Sequence, residues 1–426
     1  MSATAITQAS YRRRTLILCF ACYTVSYLLR TNLSAVLDKL IAELQISRAL
    51  AGSIGSLYFW IYALGQFING YLAGRLNPKK MIVTGLSLSI LINCLIGSAR
   101  SYPVILLLWG LNGFSLSMIW GATFKILTNW HSPEAYAKVS VYISLPTTVG
   151  YLISWSVIRL IAAHFTWRYA FFLPAMCGAA FLILWIAFLQ PSPRSAGFTP
   201  ESATPVPEAA GGAVKKTPYQ LLIGYGLIFV GLAAIVQGLI KESINLWAPT
   251  LMAESGTAAK ADMTSLYAIG VPIAGTLGIL AVGKLLRAFH NNSFQTLLVL
   301  FIAAAVSAGA VFAFQPPFFI SVLLLSALMA CVCGANVIIT VFLPTGFVRQ
   351  GLSTQVSGAL NFMVYVGAGL GGSLSGLVSD LWGWNSLYLL WAALCMVALG
   401  VLAVWWMKGK TMVRGPRSSH QGISES

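Results

Sequence analysis

The sequence predicts an all-α membrane protein with twelve transmembrane helices, arranged as two six-helix halves around a central cavity. Three observations carry this expectation. Only 8% of the 426 residues are charged and 58% are hydrophobic, whereas an ordinary soluble chain carries about 25% charged residues. Apolar runs recur twelve times, each close to the roughly 20 residues that a helix needs to cross a bilayer. A polar, proline-rich stretch separates the sixth run from the seventh and divides the set evenly. Inside a bilayer only helices and closed barrels satisfy their own backbone, and these continuous runs lack the alternation of barrel strands.

Taken in order, residues 1–190 form the first half. Met1 to Ser10 is polar and the run after it is long, so the first span, 15–37, reads as a retained helix rather than a cleaved signal peptide. Spans follow at 50–74, 80–98, 103–127, 137–162 and 167–190. Residues 191–217 hold no apolar period and read as a flexible cytoplasmic linker. The second half, 218–407, has spans at 218–246, 264–286, 294–314, 317–342, 352–379 and 384–407, and residues 408–426 form a cytoplasmic tail.

The formal net charge is +16. Its placement argues for a membrane orientation and against a nucleic-acid partner. Seventeen of the 26 Lys and Arg fall on one side of this topology, including Arg12, Arg75, Lys79, Lys138, Lys284 and Arg349. Six fall on the other: Lys39, Arg48, Arg100, Arg159, Arg168 and Lys260. The positive-inside rule then makes both termini cytoplasmic and the chain a multi-pass protein of the inner (plasma) membrane, with lipid as its surroundings. All seven cysteines lie in apolar segments, so neither a disulfide framework nor a zinc site is expected, and the CxxC of Cys19 and Cys22 reads as small packing residues.

The halves carry landmarks at matching offsets. Arg30 precedes the loop residue Arg75 by 45 positions, and Lys241 precedes Lys284 by 43. Trp167 and Trp384 open the last span of each half, 137 and 143 positions after Arg30 and Lys241. Such agreement is expected of duplicated halves related by an axis along the membrane normal.

Three cations remain inside the spans. A charge near the bilayer centre costs several kcal/mol and persists only with a partner, a cavity or a function. Arg30, in the first span, and Lys241, in the seventh, would face each other across the cavity as equivalent residues of the two halves. Two facing cations make an anion site, and a guanidinium fork suits phosphate or carboxylate. The bland alternatives are snorkelling and internal pairing. The predicted spans of the first half hold no acid for Arg30, whereas Glu242 beside Lys241 could neutralise it, although adjacent helical positions point about 100° apart. Glu242 is either a proton-coupling carboxylate or a residue facing a polar gap. Lys125 either lines the cavity mouth or anchors the end of the fourth span. Tyr27 and Tyr23 share the face of Arg30 and either offer hydroxyls to a ligand or pack helices. The small residues of GAGLGGSLSG, 367–376, suit close, sliding helix contact.

Parallel 6+6 repeats with a cytoplasmic linker describe the major facilitator fold, and GYLAGRLNPKK, 70–80, resembles the second-to-third helix loop of that superfamily, with Gly74 where an acid is usual. Tyr27 to Asn32 (YLLRTN), Arg75 to Lys79, Trp247 to Thr250 (WAPT) and Tyr365 together resemble the organophosphate:phosphate antiporter family, which includes glycerol-3-phosphate and hexose-6-phosphate transporters. That resemblance implies that Arg30 grips a substrate phosphate, that Lys241 stands where the family has a second arginine, and that phosphate exchange drives uptake. It also marks two departures: Gln66 stands where the family has a lysine and Thr147 near a family histidine.

The readings that follow are secondary active transport of a small organic anion, most simply an organophosphate exchanged for inorganic phosphate; a proton-coupled symporter of a sulfonate, carboxylate or uronate using Glu242; and a transporter-like membrane receptor for an external sugar phosphate. No enzyme is expected, since no triad, metal cluster or phosphate-cradling glycine loop is evident, and a drug exporter is disfavoured because two buried cations repel lipophilic cations. No cofactor is expected, and the chain is expected to be a monomer.

Overall fold

The computed structural model describes residues 8–131, 139, 142–143, 145–198, 227–254, 261–347 and 352–412. The expectations placed on Lys138, Lys260, Arg349, residues 218–226, most of the linker and residues 413–426 lie outside them. Within the described residues twelve long helices follow in chain order. The first half has α1 (Gln8–Leu44), α2 (Arg48–Arg75), α3 (Pro78–Ser98), α4 (Tyr102–Trp130), α5 (Leu145–His164) and α6 (Tyr169–Phe188). The second has α7 (Leu227–Glu254), α8 (Ala261–Ala288), α9 (Ser293–Phe314), α10 (Phe318–Thr345), α11 (Ser353–Trp382) and α12 (Asn385–Met412).

Local chemistry fixes several ends. Ser47 accepts the N–H of Leu50 at 3.2 Å to start α2. Asn77 accepts those of Lys79 and Lys80 at 2.9 and 3.3 Å, with Pro78 as the first residue of α3. Asn292 accepts the N–H of Gln295 at 3.2 Å to start α9. Each side chain satisfies an amide that the first turn leaves free. At the end of α11 the chain turns through Gly383, whose φ of 79° suits glycine.

The twelve helices stand as expected, one of them set apart by composition, and one boundary changes. Among the described residues eleven helices are long and apolar enough to span a bilayer, and α2, 28 residues long, falls short on hydropathy alone. The reason is its position: α2 packs on α4 of its own half and on α11 of the other, and its polar residues are spent on protein rather than lipid, Ser53 and Asn69 bonding Tyr102 and Ser117 of α4, Ser56 and Tyr62 meeting Ser373 and Tyr365 of α11. Helix α1 also runs past its predicted end at residue 37 to Leu44, so Asp38 and Glu43 stand on it. The first half therefore does carry acids on a membrane helix, but they are spent elsewhere: Asp38 pairs with Arg159 at 2.9 Å and Glu43 with Arg168 at 2.7 Å.

The packing repeats with a period of six helices. In the first half α1 packs on α5 and α6, α2 and α3 pack on α4, and α3 packs on α6. In the second, α7 packs on α11 and α12, α8 and α9 pack on α10, and α9 packs on α12. The halves meet where α1 touches α7, α2 touches α11 and α5 touches α8. The last two pairings exchange under the same shift of six, as a two-fold relation between halves requires.

Contact between α2 and α11 is closest at the end that carries the α1–α2 turn. There, a Cβ on Gly52 would lie 2.7 Å from the carbonyl carbon of Gly372, and one on Gly376 would lie 2.7 Å from that of Arg48. Ser56 Oγ accepts the N–H of Ser373 at 2.9 Å. The two helices still touch at Tyr62 and Tyr365, whose ring centres are 5.2 Å apart. Farther along, Gly70 of α2 and Gly358 of α11 are both exposed, and a Cβ on either would meet nothing within 4 Å. The halves are thus closed at one end and part toward the other. The glycine run of α11 divides its work: Gly367 and Gly371 back onto α7 of the same half, while Gly372 and Gly376 meet α2 of the other.

Candidate anion-binding site

The YLLRTN segment of α1 is anchored on every side but one. Thr31 Oγ1 donates to Tyr27 O at 2.8 Å and shares a 2.6 Å hydrogen bond with Ser154 Oγ of α5. Asn32 Nδ2 donates to Asn93 Oδ1 of α3 at 2.8 Å and to Ala170 O of α6 at 2.9 Å, and Asn112 Nδ2 of α4 donates to Leu29 O at 2.9 Å. Nearby, Trp155 Nε1 donates to Ser34 Oγ at 2.9 Å. Ser154 and Trp155 lie in a π-helical segment, Ile153–Ile158, a local widening frequent at functional sites. On the same flank Gly150 lets α5 approach closely, since a Cβ there would press on Tyr27. What remains for Arg30 is the face toward the centre of the bundle.

There the guanidinium of Arg30 is boxed by rings. Its central carbon lies 5.3, 5.4, 5.1 and 5.4 Å from the ring centres of Tyr27, Tyr58, Phe59 and Tyr62. Such contacts are worth about 0.5–2 kcal/mol each, depending on desolvation. They stabilise the cation without cancelling its charge. Among the described residues, the four ion pairs are Arg48–Glu254, Arg159–Asp38, Arg168–Glu43 and Lys241–Glu242, so Arg30 belongs to none. It opens instead on a cavity lined also by Thr31, Ser34, Tyr58, Tyr151, Glu242 and Asn245. Tyr58 is 2% exposed, and its hydroxyl has no hydrogen-bond partner among the described residues. A charged donor and a buried hydroxyl without a partner, lining one cavity, form an arrangement that an anion with oxygen acceptors would complete.

Lys241 and Glu242 meet despite their divergent positions on α7. The lysine stem is long enough to bring Nζ to 2.9 Å from Glu242 Oε1, and Glu242 Oε2 accepts Asn245 Nδ2 at 3.0 Å. Glu242 lines the Arg30 cavity and Lys241 does not, their side chains being 6% and 25% exposed respectively.

The other expected residues separate into two groups. Tyr23 and Tyr27 line a second, smaller cavity on the far side of Arg30 with Tyr58, Tyr62 and Trp120. Tyr365 of α11 packs its ring against that of Tyr62, 5.2 Å between centres. Gln66 Nε2 donates to Tyr62 Oη at 2.8 Å and so steadies that ring. Lys125 lies away from Arg30: its Nζ donates to Ala73 O at 2.7 Å, at the end of α2. Thr147 is half-buried one residue before Thr148, which bonds Thr276 across the halves. The sequence reading did not single out Tyr58, Phe59 and Tyr62. The available signal was an aromatic pair at i and i+4 on the least apolar of the long helices.

The Major Facilitator Superfamily model matches residues 19–372. The glycerol-3-phosphate transporter of Bacillus subtilis is 25% identical over 409 residues, covering 92% of this chain and 91% of that one. The membrane sensor protein UhpC of Salmonella typhimurium is 24% identical over 436 residues, covering 96% and 94%. Among solved structures, the nucleoside transporter NupG superposes with a TM-score of 0.73 at 16% identity, covering 93% of this chain and 99% of that one.

Proposed function

The chain belongs to the Major Facilitator Superfamily, and from that membership we propose that it is a secondary transporter of a small organic anion, of the organophosphate class, working by alternating access. The observation that carries this reading is Arg30: a membrane-embedded guanidinium outside every described ion pair, held in an aromatic box and opening on the cavity between the halves. Likeness to a glycerol-3-phosphate transporter over nearly the whole chain supports a phosphate ester as cargo. Exchange for inorganic phosphate is the simplest driving mode. With the termini cytoplasmic, as the positive-inside rule argues, the closed end faces outward and the structure is the inward-facing state, in an inner membrane.

A second reading, proton-coupled uptake of a sulfonate, carboxylate or uronate, is favoured by one observation. Glu242, a carboxylate, lines the site itself. Both readings are tested by counterflow into liposomes that hold the purified full chain and unlabelled phosphate, with labelled phosphate outside and competing esters, sulfonates and uronates. Exchange blocked by particular esters supports antiport. Uptake of a carboxylate or sulfonate that follows an imposed proton gradient supports symport, and tight binding without transport of any member indicates a receptor.

A further inference from the structure

Resting on the anion-transport reading, we infer that Glu242 sets the charge of the cargo: the site is built for a solute that presents one negative charge, and Glu242 is the residue that rejects a second. Three formal charges meet in the central region. Arg30 contributes one positive charge, Lys241 another, and Glu242 one negative charge. The aromatic groups that face Arg30, Tyr27, Tyr58, Phe59 and Tyr62, carry none. Arg159 and Asp38, toward the closed end, neutralise each other at 2.9 Å. The site therefore holds a net charge of plus one.

In a poorly hydrated membrane centre an uncompensated charge costs several kcal/mol. A singly charged oxyanion brings the site to neutrality. A doubly charged one leaves a surplus negative charge beside the carboxylate of Glu242, which lines the same cavity and is 6% exposed. Lys241 does not relieve this, because its ammonium is already engaged 2.9 Å from Glu242. Asn245 holds the other carboxylate oxygen at 3.0 Å, which keeps Glu242 turned toward both partners. Replacing Glu242 by glutamine removes the negative charge, frees Lys241 and raises the net charge to plus two.

The test uses two probes that differ by one methyl group and one charge: methyl phosphate, doubly charged at about pH 8 because its second pKa is near 6, and dimethyl phosphate, singly charged. Binding to the full chain in nanodiscs is read by calorimetry. The wild-type protein is expected to bind dimethyl phosphate at least tenfold more tightly than methyl phosphate, both bindings being lost in Arg30→Ala. Glu242→Gln is expected to cancel or reverse that ratio, and Glu242→Asp to keep it. A wild-type preference for methyl phosphate, or a ratio unchanged in Glu242→Gln, overturns the inference while Arg30-dependent binding leaves the transport reading standing. Should neither probe bind wild type, the phosphate-class reading falls and this inference falls with it. A wild-type preference for methyl phosphate overturns the inference even where a variant fails to fold.

Discussion

Glu43 and Glu254 hold equivalent places in the two halves, each accepting the indole N–H of the tryptophan just before the last helix of its half: Trp167 at 2.7 Å and Trp384 at 3.0 Å. They differ in their cation. Glu43 takes Arg168 of its own half at 2.7 Å, whereas Glu254 takes Arg48 of the other half at 2.5 Å. The α2 amides of Arg48 and Ala49 add bonds to Asp380 of α11 at 3.1 and 2.8 Å, so the amino end of α2 is capped across the interface. One duplicated joint thus became a strut in the first half and a latch in the second.

Releasing the latch should shift the protein toward the state open at that end. A partly exposed ion pair is worth about 0.2–1 kcal/mol, so Glu254→Gln should move the equilibrium up to about fivefold. Asp380→Ala removes the cap on the Arg48 and Ala49 amides, worth about 0.5–2 kcal/mol, and should move it further. Distances between spin labels on the α1–α2 and α7–α8 turns measure the shift. Glu43→Gln should leave those distances unchanged, and a comparable shift there would show that Glu254 is not a latch.

Gly52 and Gly372 make a stronger demand, because backbone meets backbone. Overpacking of a rigid contact costs about 1–3 kcal/mol, and here the clash arises only when the halves close. Gly52→Val should therefore keep each half folded, abolish net transport, and leave a cysteine placed at Ser56 reactive to a thiol reagent added on the latch side. Normal transport by this variant would show that the α2–α11 contact is not needed in the cycle.

Arg30 should be irreplaceable even by another cation. Lysine keeps the charge but loses the fork and the flat face that lies among Tyr27, Tyr58, Phe59 and Tyr62. A lost charged hydrogen bond costs about 1.5–3 kcal/mol, so Arg30→Lys should weaken anion binding roughly 10- to 100-fold, and Arg30→Ala should abolish it. Phe59→Leu should weaken it only severalfold, through the cation–π contribution alone. Calorimetry on the purified variants ranks the three.

Composition and apolar runs made the helices legible in the sequence, and the offset landmarks made the halves legible, because both follow from the bilayer and from duplication. Arg30 was legible because an ionised group in a membrane span demands a reason. Its aromatic box was not, since Tyr58, Phe59 and Tyr62 belong to a different helix, and only the α1–α2 packing reveals which of the many aromatics meet the guanidinium. The engagement of Lys241 by Glu242 ran against the 100° separation of neighbours, which describes Cβ directions and not the reach of a lysine. The latch was hidden for a third reason: Arg48, Glu254 and Asp380 sit near helix ends that look like ordinary loops until the halves are brought together.

Behind Arg30, the asparagines decide how firmly the site is held. Asn32 is fully buried, and its amide joins α1 to both α3 and α6 through Asn93 Oδ1 and Ala170 O. Interhelical hydrogen bonds within membranes average about 0.6 kcal/mol and reach about 1.7. Asn32→Leu should therefore cost about 1–3 kcal/mol, since it removes two bonds and strands the Asn93 acceptor, and should lower the melting temperature in detergent by several degrees. If the network also positions Arg30, anion affinity should fall in the same variant while the charges of the site stay the same. Loss of stability with unchanged affinity would make the asparagines a purely structural tie, and Asn93→Ser, which keeps a hydroxyl for Asn32, should recover most of whichever property is lost in Asn93→Leu.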